Sequence, residues 1–114
     1  ILILDKLNTK IKFKRIFFLI SNKKIQRGDH AHKKCVQAFF SVKGTIHIEC
    51  NYSNKRFKKI KLIPGKNLEI IKPFTWVKVK LKKNQICAVL CDKYFDEKDY
   101  IRNFNEFKKI TSIK

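Results

Sequence analysis

Residues 28–44 read GDHAHKKCVQAFFSVKG, and this stretch holds His30 and His32 at alternate positions. Four residues separate His32 from Gln37, and six separate Gln37 from Gly44. On a β-strand, residues two apart point to the same face, so His30 and His32 share a face if this segment is extended. The pair is open to three interpretations, which are a metal site, structural hydrogen bonding in the core, and acid–base catalysis.

Segments that alternate apolar and polar residues extend from this stretch toward both ends of the chain. The predicted strands are Lys10–Ile20, two short strands within Gln26–Val42, Thr45–Tyr52, Phe57–Leu62, Leu68–Ile71, Trp76–Leu81 and Ile86–Cys91. Short alternating strands at roughly ten-residue spacing predict an antiparallel, all-β sandwich or barrel. Asp96–Ile110 indicates a short helical tail, because Tyr100, Phe104 and Phe107 recur at helical spacing.

The composition suits a single packed domain. The chain has 114 residues, of which 44% are hydrophobic, so we expect one domain that spans residues 1–114. The longest apolar runs, Ile16–Ile20 and Ile86–Cys91, are far shorter than a membrane-spanning helix. Ile1–Leu4 lacks the length and the cleavage site of a signal peptide, which favours a cytoplasmic protein.

The formal charge of +19 raises the question of nucleic-acid binding. Nearly all of this charge comes from lysines that alternate with Ile, Phe and Leu, a pattern typical of solvated strand faces. Arginine, whose planar fork suits base edges and phosphates, occurs only at Arg15, Arg27, Arg56 and Arg102. We therefore expect no specific nucleic-acid binding, but an attraction for anionic ligands such as phosphorylated small molecules.

The four cysteines, at positions 35, 50, 87 and 91, lack the two-residue spacing of zinc knuckles and thioredoxin-like sites. If Ile86–Cys91 is a strand, the Cα atoms of Cys87 and Cys91 are roughly 13 Å apart. A disulfide needs about 4.4–6.8 Å between Cα atoms, so this pair cannot form one. We expect all four cysteines to be reduced, buried and part of the core.

The spacing of His30, His32, Gln37 and Gly44 resembles the first signature of the cupin superfamily, a small double-stranded β-helix barrel. In that signature the position of Gln37 is a Glu, and a later His completes a metal site. Here the later position holds Lys78. Two imidazoles with a weakly donating amide and a cationic amine make a poor metal site, so we expect none.

A closer resemblance covers nearly the whole chain. The segment Arg27–Lys33, RGDHAHK, is similar to the Arg-Gly-x-His-Ala-His-Lys segment of the nucleotide-sugar 3,4-ketoisomerases, which are cupins. The similarity extends upstream to Lys14–Phe18 and ends in Tyr94–Phe104, YFDEKDYIRNF. It implies a single cupin (jelly-roll) barrel with a short C-terminal helical tail, and isomerisation of dTDP-4-oxo-6-deoxyglucose to a 3-oxo sugar.

The resemblance also implies roles for individual residues. His30 would take the proton from C3 to give an enediol, and His32 would help to move protons between the two oxygens. An imidazole suits a base that must return its proton, because it titrates near neutral pH. No cofactor is implied, since oxidation at C3 balances reduction at C4. The expected substrate-binding residues are Arg15, Arg27, Gln37, Trp76 and Arg102.

Relatives often carry a Tyr in the proton relay on the strand that holds Phe17 and Phe18 here, and neither phenyl ring transfers a proton. The resemblance also implies a homodimer with exchange of an N-terminal strand, for which the apolar segment Ile1–Leu4 is suited. Two alternatives stay open. One is a nucleotide-sugar 3,5-epimerase-like cupin, and the other is a non-catalytic basic barrel that binds sugar or nucleic acid.

Overall fold

A computed structural model describes residues 12–52 and 56–112. Within these described residues, nine strands are followed by one α-helix, and a 3₁₀ turn over Glu97–Asp99 precedes the last strand. The strands are β1 Arg15–Ile20, β2 Ile25–His32, β3 Gln37–Lys43, β4 Ile46–Tyr52, β5 Lys58–Leu62, β6 Leu68–Ile71, β7 Thr75–Leu81, β8 Ile86–Cys91 and β9 Tyr100–Ile101. The helix α1 covers Phe104–Ser112.

The strands form two sheets. One has four strands in the order β1-β8-β3-β6, and the other has five in the order β5-β4-β7-β2-β9. Neighbouring strands in both sheets pair antiparallel. This is the mostly-β, jelly-roll arrangement with a short C-terminal helix that the sequence predicts, and the predicted fold class is confirmed.

The main core lies between the sheets, because the alternating strands turn their apolar residues toward each other. Ile46 and Ile48 of β4 and Val79 of β7 meet Phe39 of β3 and Val89 of β8, all of them buried. Cys35, Cys50, Cys87 and Cys91 are buried here as free thiols, as predicted.

A second, smaller core lies on the outer face of the five-stranded sheet, beneath α1. Phe107 of the helix packs on Trp76, Ala31 and Ile101, which are all buried. The helix thereby fixes the position of the chain just before it, including β9. No helix among the described residues is long and apolar enough to cross a membrane.

The tail differs from the predicted helix Asp96–Ile110. Asp96 caps the 3₁₀ turn by accepting from the backbone N–H of Lys98, and Ile101 then pairs with Ala31 of β2. These bonds to turn and sheet replace the helical bonds that residues 96–103 would need, so the helix begins only at Phe104. The strand predicted from Lys10 begins at Arg15, and the N-terminal segment Ile1–Leu4 lies outside the described residues.

Candidate active site

A bulge in β2 sets the direction of both histidines. Gly28 pairs with Lys78, but the next paired residues are His30 and Val77, so Asp29 is an extra residue in the strand. Strict alternation would place His30 on the outer face with Gly28. The bulge instead turns His30 to the side of Val77, which faces the main core.

Gly28 and Asp29 make this bulge because both have left-handed backbone conformations, with φ of 81° and 61°. A Cβ on Gly28 would lie 2.9 Å from the backbone oxygen of Val77, which leaves no room for any other residue. Asp29 tolerates its conformation better than most residues and accepts a hydrogen bond of 2.9 Å from Trp76 Nε1.

His30 is held by its own bulge. Its Nδ1 lies 3.0 Å from the backbone oxygen of Gly28. Because a carbonyl oxygen only accepts, Nδ1 carries the hydrogen and the lone pair is on Nε2. Burial and the neighbouring His32 lower the pKa of His30 to about 4, so at neutral pH the ring is a neutral base.

His32 is paired with a carboxylate instead. Its Nδ1 is 2.8 Å from Oδ2 of Asp99, and only 4% of the residue is exposed. Burial lowers the pKa of His32, while the hydrogen bond and charge of Asp99 oppose that shift. The carboxylate fixes Nδ1 as the protonated nitrogen. Nε2 is buried and has no hydrogen-bond partner among the described residues.

Asp99 is itself fixed by the turn between β2 and β3. Its carboxylate accepts from the backbone N–H groups of Lys34 at 2.7 Å and Cys35 at 3.3 Å, and its carbonyl accepts from Lys33 N–H at 2.8 Å. Sequence reasoning gave this aspartate no part in catalysis. The signal was the run of acidic residues in the tail motif, but nothing in the sequence joined it to His32.

Tyr100 completes the cluster of rings. In the pairing of β2 with β9 it lies directly opposite His32. Its ring centroid is 4.3 Å from that of His32 and 4.9 Å from that of His30, and the two imidazoles are 5.1 Å apart. Tyr100 is partly exposed, and sequence reasoning gave it no part in catalysis.

Gln37 and His30 border the same cavity. The cavity has a volume of about 40 Å³, little more than a water molecule occupies, and it also borders Phe17, Leu19 and Val79. Gln37 is buried, and its Nε2 donates to Cys91 Sγ at 3.4 Å. A hexose cannot enter this cavity, so a sugar would have to reach His30 from the partly exposed side of its ring.

The three arginines expected at the site differ in position. Arg15 lies on the inner face of β1, beside Tyr100. Burial lowers the pKa of Arg15, but the nearby Tyr100 and Cys91 side chains outweigh burial and raise it. Arg27 is exposed and pairs with Val79, so it lies on the inner face beside His30. Arg102 lies over the Tyr100 ring at 4.3 Å, and Glu97 holds its guanidinium at 2.7 and 2.9 Å.

Comparison with known proteins shows the family to which the chain belongs. The family model described as FdtA: WxcM-like, C-terminal matches residues 2–112. This chain belongs to the FdtA family. It is 30% identical over 105 residues to a TDP-4-oxo-6-deoxy-alpha-D-glucose-3,4-oxoisomerase from Aneurinibacillus thermoaerophilus, an alignment that covers 90% of this chain and 74% of the relative.

Solved structures show the same fold. The sugar 3,4-ketoisomerase QdtA from Thermoanaerobacterium thermosaccharolyticum, in complex with TDP, matches with a TM-score of 0.88 and 27% identity, over 97% of this chain and 82% of that one. WlaRA, a TDP-fucose-3,4-ketoisomerase from Campylobacter jejuni, matches with a TM-score of 0.84 and 26% identity, over 91% and 78%. The predicted resemblance to this family is confirmed.

Two residues singled out in the sequence lie away from the histidines in this member of the FdtA family. Trp76 is buried in the second core, on the outer face of the sheet, under Phe104 and Phe107. Lys78 is also on the outer face, with its amine 4.7 Å from the centre of the Phe57 ring. The structure therefore does not bring Trp76 to the imidazoles. Of the β1 phenylalanines, Phe17 borders the cavity and Phe18 is exposed.

In the part of the chain that the structure describes, one group of side chains offers metal-ligand atoms, namely His32, Cys35 and Asp99, with the three atoms within 4.8 Å. These side chains already form hydrogen bonds with each other or with the backbone. Asp99 accepts from His32 and from two backbone N–H groups, and the Cys35 thiol donates to the Val36 carbonyl. Lys34 and Lys93 stand at the adjoining surface with their positive charges. The arrangement suits an imidazole–carboxylate pair better than a cation.

A larger cavity of about 490 Å³ lies elsewhere, lined by Lys24, Gln26, His47 and Lys80 among others. His47 is partly exposed there, on the outer face of the five-stranded sheet. Apart from His47, the titratable groups that line it are lysines. His30, His32, Asp99 and Tyr100 instead bring two imidazoles, a carboxylate and a phenol into one cluster.

Proposed function

We propose that this protein is a sugar 3,4-ketoisomerase that converts dTDP-4-oxo-6-deoxyglucose to the 3-oxo isomer. The observation that carries the proposal is the unequal pair of histidines on one face of β2. His30 has a neutral ring with an available Nε2, and His32 is locked to Asp99 at 2.8 Å. The names of the relatives support the substrate class.

In the proposed reaction His30 Nε2 removes the proton from C3, and the electrons move to give an enediol. The oxygen at C4 gains a proton, the oxygen at C3 loses one, and the proton held on His30 returns to C4. The sum is a shift of the carbonyl from C4 to C3, with no net gain or loss of electrons or protons. His32 assists the proton transfers between the oxygens. The product has the 3-oxo group that an amination to a 3-amino-3,6-dideoxy sugar for surface polysaccharide would need.

The reaction needs no redox cofactor, because one carbon is oxidised as its neighbour is reduced. We propose that it also proceeds without metal, since β7 turns Val77 and Val79, not a ligand, toward His30. Chelation should leave turnover unchanged. A loss of activity with EDTA that one divalent ion restores would contradict this part of the proposal.

Substrate binding is assigned to the side chains that surround the imidazoles. Arg27 and Arg15 offer guanidinium groups to the diphosphate or the sugar oxygens, and Gln37 borders the cavity beside His30. Arg102 is oriented by Glu97 at the rim. Trp76 keeps a supporting role only, because its indole N–H fixes Asp29 and therefore the bulge.

We further propose a homodimer that forms through the outer face of the four-stranded sheet. Three large side chains of β1, Ile16, Phe18 and Ile20, are between 50% and 62% exposed on that face, and Val42 of β3 is 48% exposed. The neighbours in register are apolar as well: Leu90, Ala88 and Ile86 of β8, Ala38 and Phe40 of β3, Leu68 and Ile70 of β6. This contiguous apolar face favours contact with the same face of a second copy. The lysine-rich faces of two copies would repel each other instead, because the protein is strongly cationic.

Exchange of the N-terminal strand in that dimer stays a prediction, since Ile1–Leu4 lies outside the described residues. Light scattering of Phe18→Lys beside the unmodified protein tests the interface itself. The variant should shift toward monomer, and an unchanged dimer would exclude this face.

A cytoplasmic location is proposed from the four free, buried thiols, which suit a reducing compartment.

Incubation with dTDP-4-oxo-6-deoxyglucose in D₂O, followed by NMR, tests the function against its alternatives. A new 3-oxo product with deuterium exchange at C3 is expected. Exchange at both C3 and C5 would indicate a 3,5-epimerase. No exchange at all would leave a binding barrel, whose affinity for nucleic acid should be weak, independent of sequence and steeply dependent on salt.

A further inference from the structure

The two sugar oxygens need a proton-transferring group that can touch them. His32 cannot do so directly in this structure, because only 4% of the residue is exposed and its Nε2 is buried. The inner face of β1 offers Arg15, Phe17 and Leu19, none of which supplies a hydroxyl. The transfer between oxygens therefore requires a further group beside His30.

Tyr100 meets the geometric requirement. It is partly exposed, whereas His32 behind it is enclosed, and its ring contacts both imidazoles at centroid distances of 4.3 and 4.9 Å. Its position is fixed by pairing opposite His32 and by the Arg102 guanidinium over its ring at 4.3 Å. A sugar carbon within reach of His30 therefore lies close to the Tyr100 side chain.

The contact with Arg15 decides what the Tyr100 hydroxyl can do. A guanidinium has five N–H donors and no acceptor, so Arg15 beside Tyr100 can only donate to the phenolic oxygen. Arg15 therefore leaves the O–H hydrogen of Tyr100 for donation to a ligand. Arg15 is held in turn against the Phe17 and Phe95 rings at 5.4 and 5.7 Å.

We propose that the Tyr100 hydroxyl is a catalytic residue that moves the proton between the two sugar oxygens. It gives its proton to the oxygen at C4 as His30 removes the C3 proton, and it regains a proton from the hydroxyl at C3 as that group becomes the carbonyl. Tyr100 and His30 both end the cycle in their starting states, so protons balance. This inference rests on the proposed ketoisomerase function and adds a residue to it.

Tyr100→Phe tests the hydroxyl while it keeps the ring contacts, and Tyr94→Phe is the matched control, because Tyr94 is 71% exposed and lies outside the cluster. Turnover of dTDP-4-oxo-6-deoxyglucose and deuterium exchange at C3 are measured for both variants and the unmodified protein. We expect Tyr100→Phe to lose about 10²-fold in turnover and less in C3 exchange, so that the ratio of exchange to turnover rises at least about tenfold. Tyr94→Phe should match the unmodified protein.

Turnover of Tyr100→Phe within threefold of the unmodified protein would overturn the assignment and leave the ketoisomerase function intact. Equal loss of exchange and turnover would also overturn it, because the hydroxyl would then only position His30. Absence of turnover in the unmodified protein would remove the proposed function and this assignment together. Thermal unfolding of each variant establishes that the fold is retained.

Discussion

His30 and His32 are two residues apart on one strand and face the same way, yet their surroundings differ. His30 borders a cavity and bonds to the backbone carbonyl of its own bulge. His32 is enclosed, and Asp99 from the tail, 67 residues along the chain, accepts a hydrogen bond from its Nδ1. Two identical side chains thus receive different roles, because one is fixed by local backbone and the other by a distant carboxylate.

The strand therefore supplies only the direction of the two imidazoles. The bulge at Gly28 and Asp29 turns them inward, and the tail decides which ring is open to substrate. On this account substitutions at the bulge affect both histidines, whereas substitutions at Asp99 affect His32 alone.

The largest expected effect is that of His30→Asn, which removes the base without a large change in size. We expect turnover to fall by about 10² or more, since this is the usual contribution of a positioned acid–base group. His47→Asn is the matched control, because that histidine lies at a different cavity. Steady-state rates of both variants decide the matter, and equal losses in the two would refute a special role for His30.

Of the two histidines, Asp99→Asn should affect only His32. The amide keeps the shape but loses the charge, so the preferred tautomer of His32 is no longer fixed. A loss of roughly 10- to 100-fold in turnover is expected, the usual cost of removing a carboxylate that orients a functional imidazole. Asp96→Asn, in the same tail but bonded only to the 3₁₀ turn, is the control. If Asp99→Asn keeps full activity, the pairing with His32 has no catalytic part.

Gly28→Ala should damage the bulge and therefore both histidines. The new Cβ would meet the Val77 oxygen at 2.9 Å and the residue would keep a positive φ of 81°. We expect the free energy of unfolding to fall by about 1–3 kcal/mol, with a loss of activity. Gly65→Ala has a similar φ of 73° but open space around it, so it isolates backbone strain from the clash. Chemical denaturation should show the larger loss at position 28.

The pH dependence is the mildest of these tests. Because the pKa of His30 is lowered to about 4, kcat/KM should stay flat as the pH falls from 7 to 5 and decline only near pH 4. The unfolded chain, with an ordinary imidazole pKa near 6.5, binds the proton first. The free energy of unfolding should therefore be highest above pH 6.5 and fall between pH 6.5 and 4. A decline of kcat/KM centred near pH 6.5 would show that His30 is not shielded.

The strands were predictable from the sequence, because alternation at short spacing is a local signal. β6 and β8 have the predicted bounds, and β4, β5 and β7 differ from them by one residue. β9 was not predictable, since two residues carry no period and Tyr100 also fits the helical spacing of Phe104 and Phe107. Its formation depends on pairing with Ala31 and His32, which are distant in sequence.

The candidate site divides in the same way. His30, His32 and Gln37 were predicted because they stand close together along β2 and β3. Asp99 and Tyr100 reach the site only after the tail pairs with β2, so their contribution depends on tertiary contacts that no spacing reveals. Trp76 was expected among the substrate-binding residues, yet the structure places it in the second core under α1.

Deuterium exchange at C3 of dTDP-4-oxo-6-deoxyglucose, measured by NMR in D₂O for His30→Asn and His32→Asn, tests the division between the two histidines most directly. We expect His30→Asn to lose C3 exchange by about 10² or more. His32→Asn should keep part of that exchange although its isomerisation falls. Equal loss of C3 exchange in the two variants, or full exchange in His30→Asn, would contradict this division of roles.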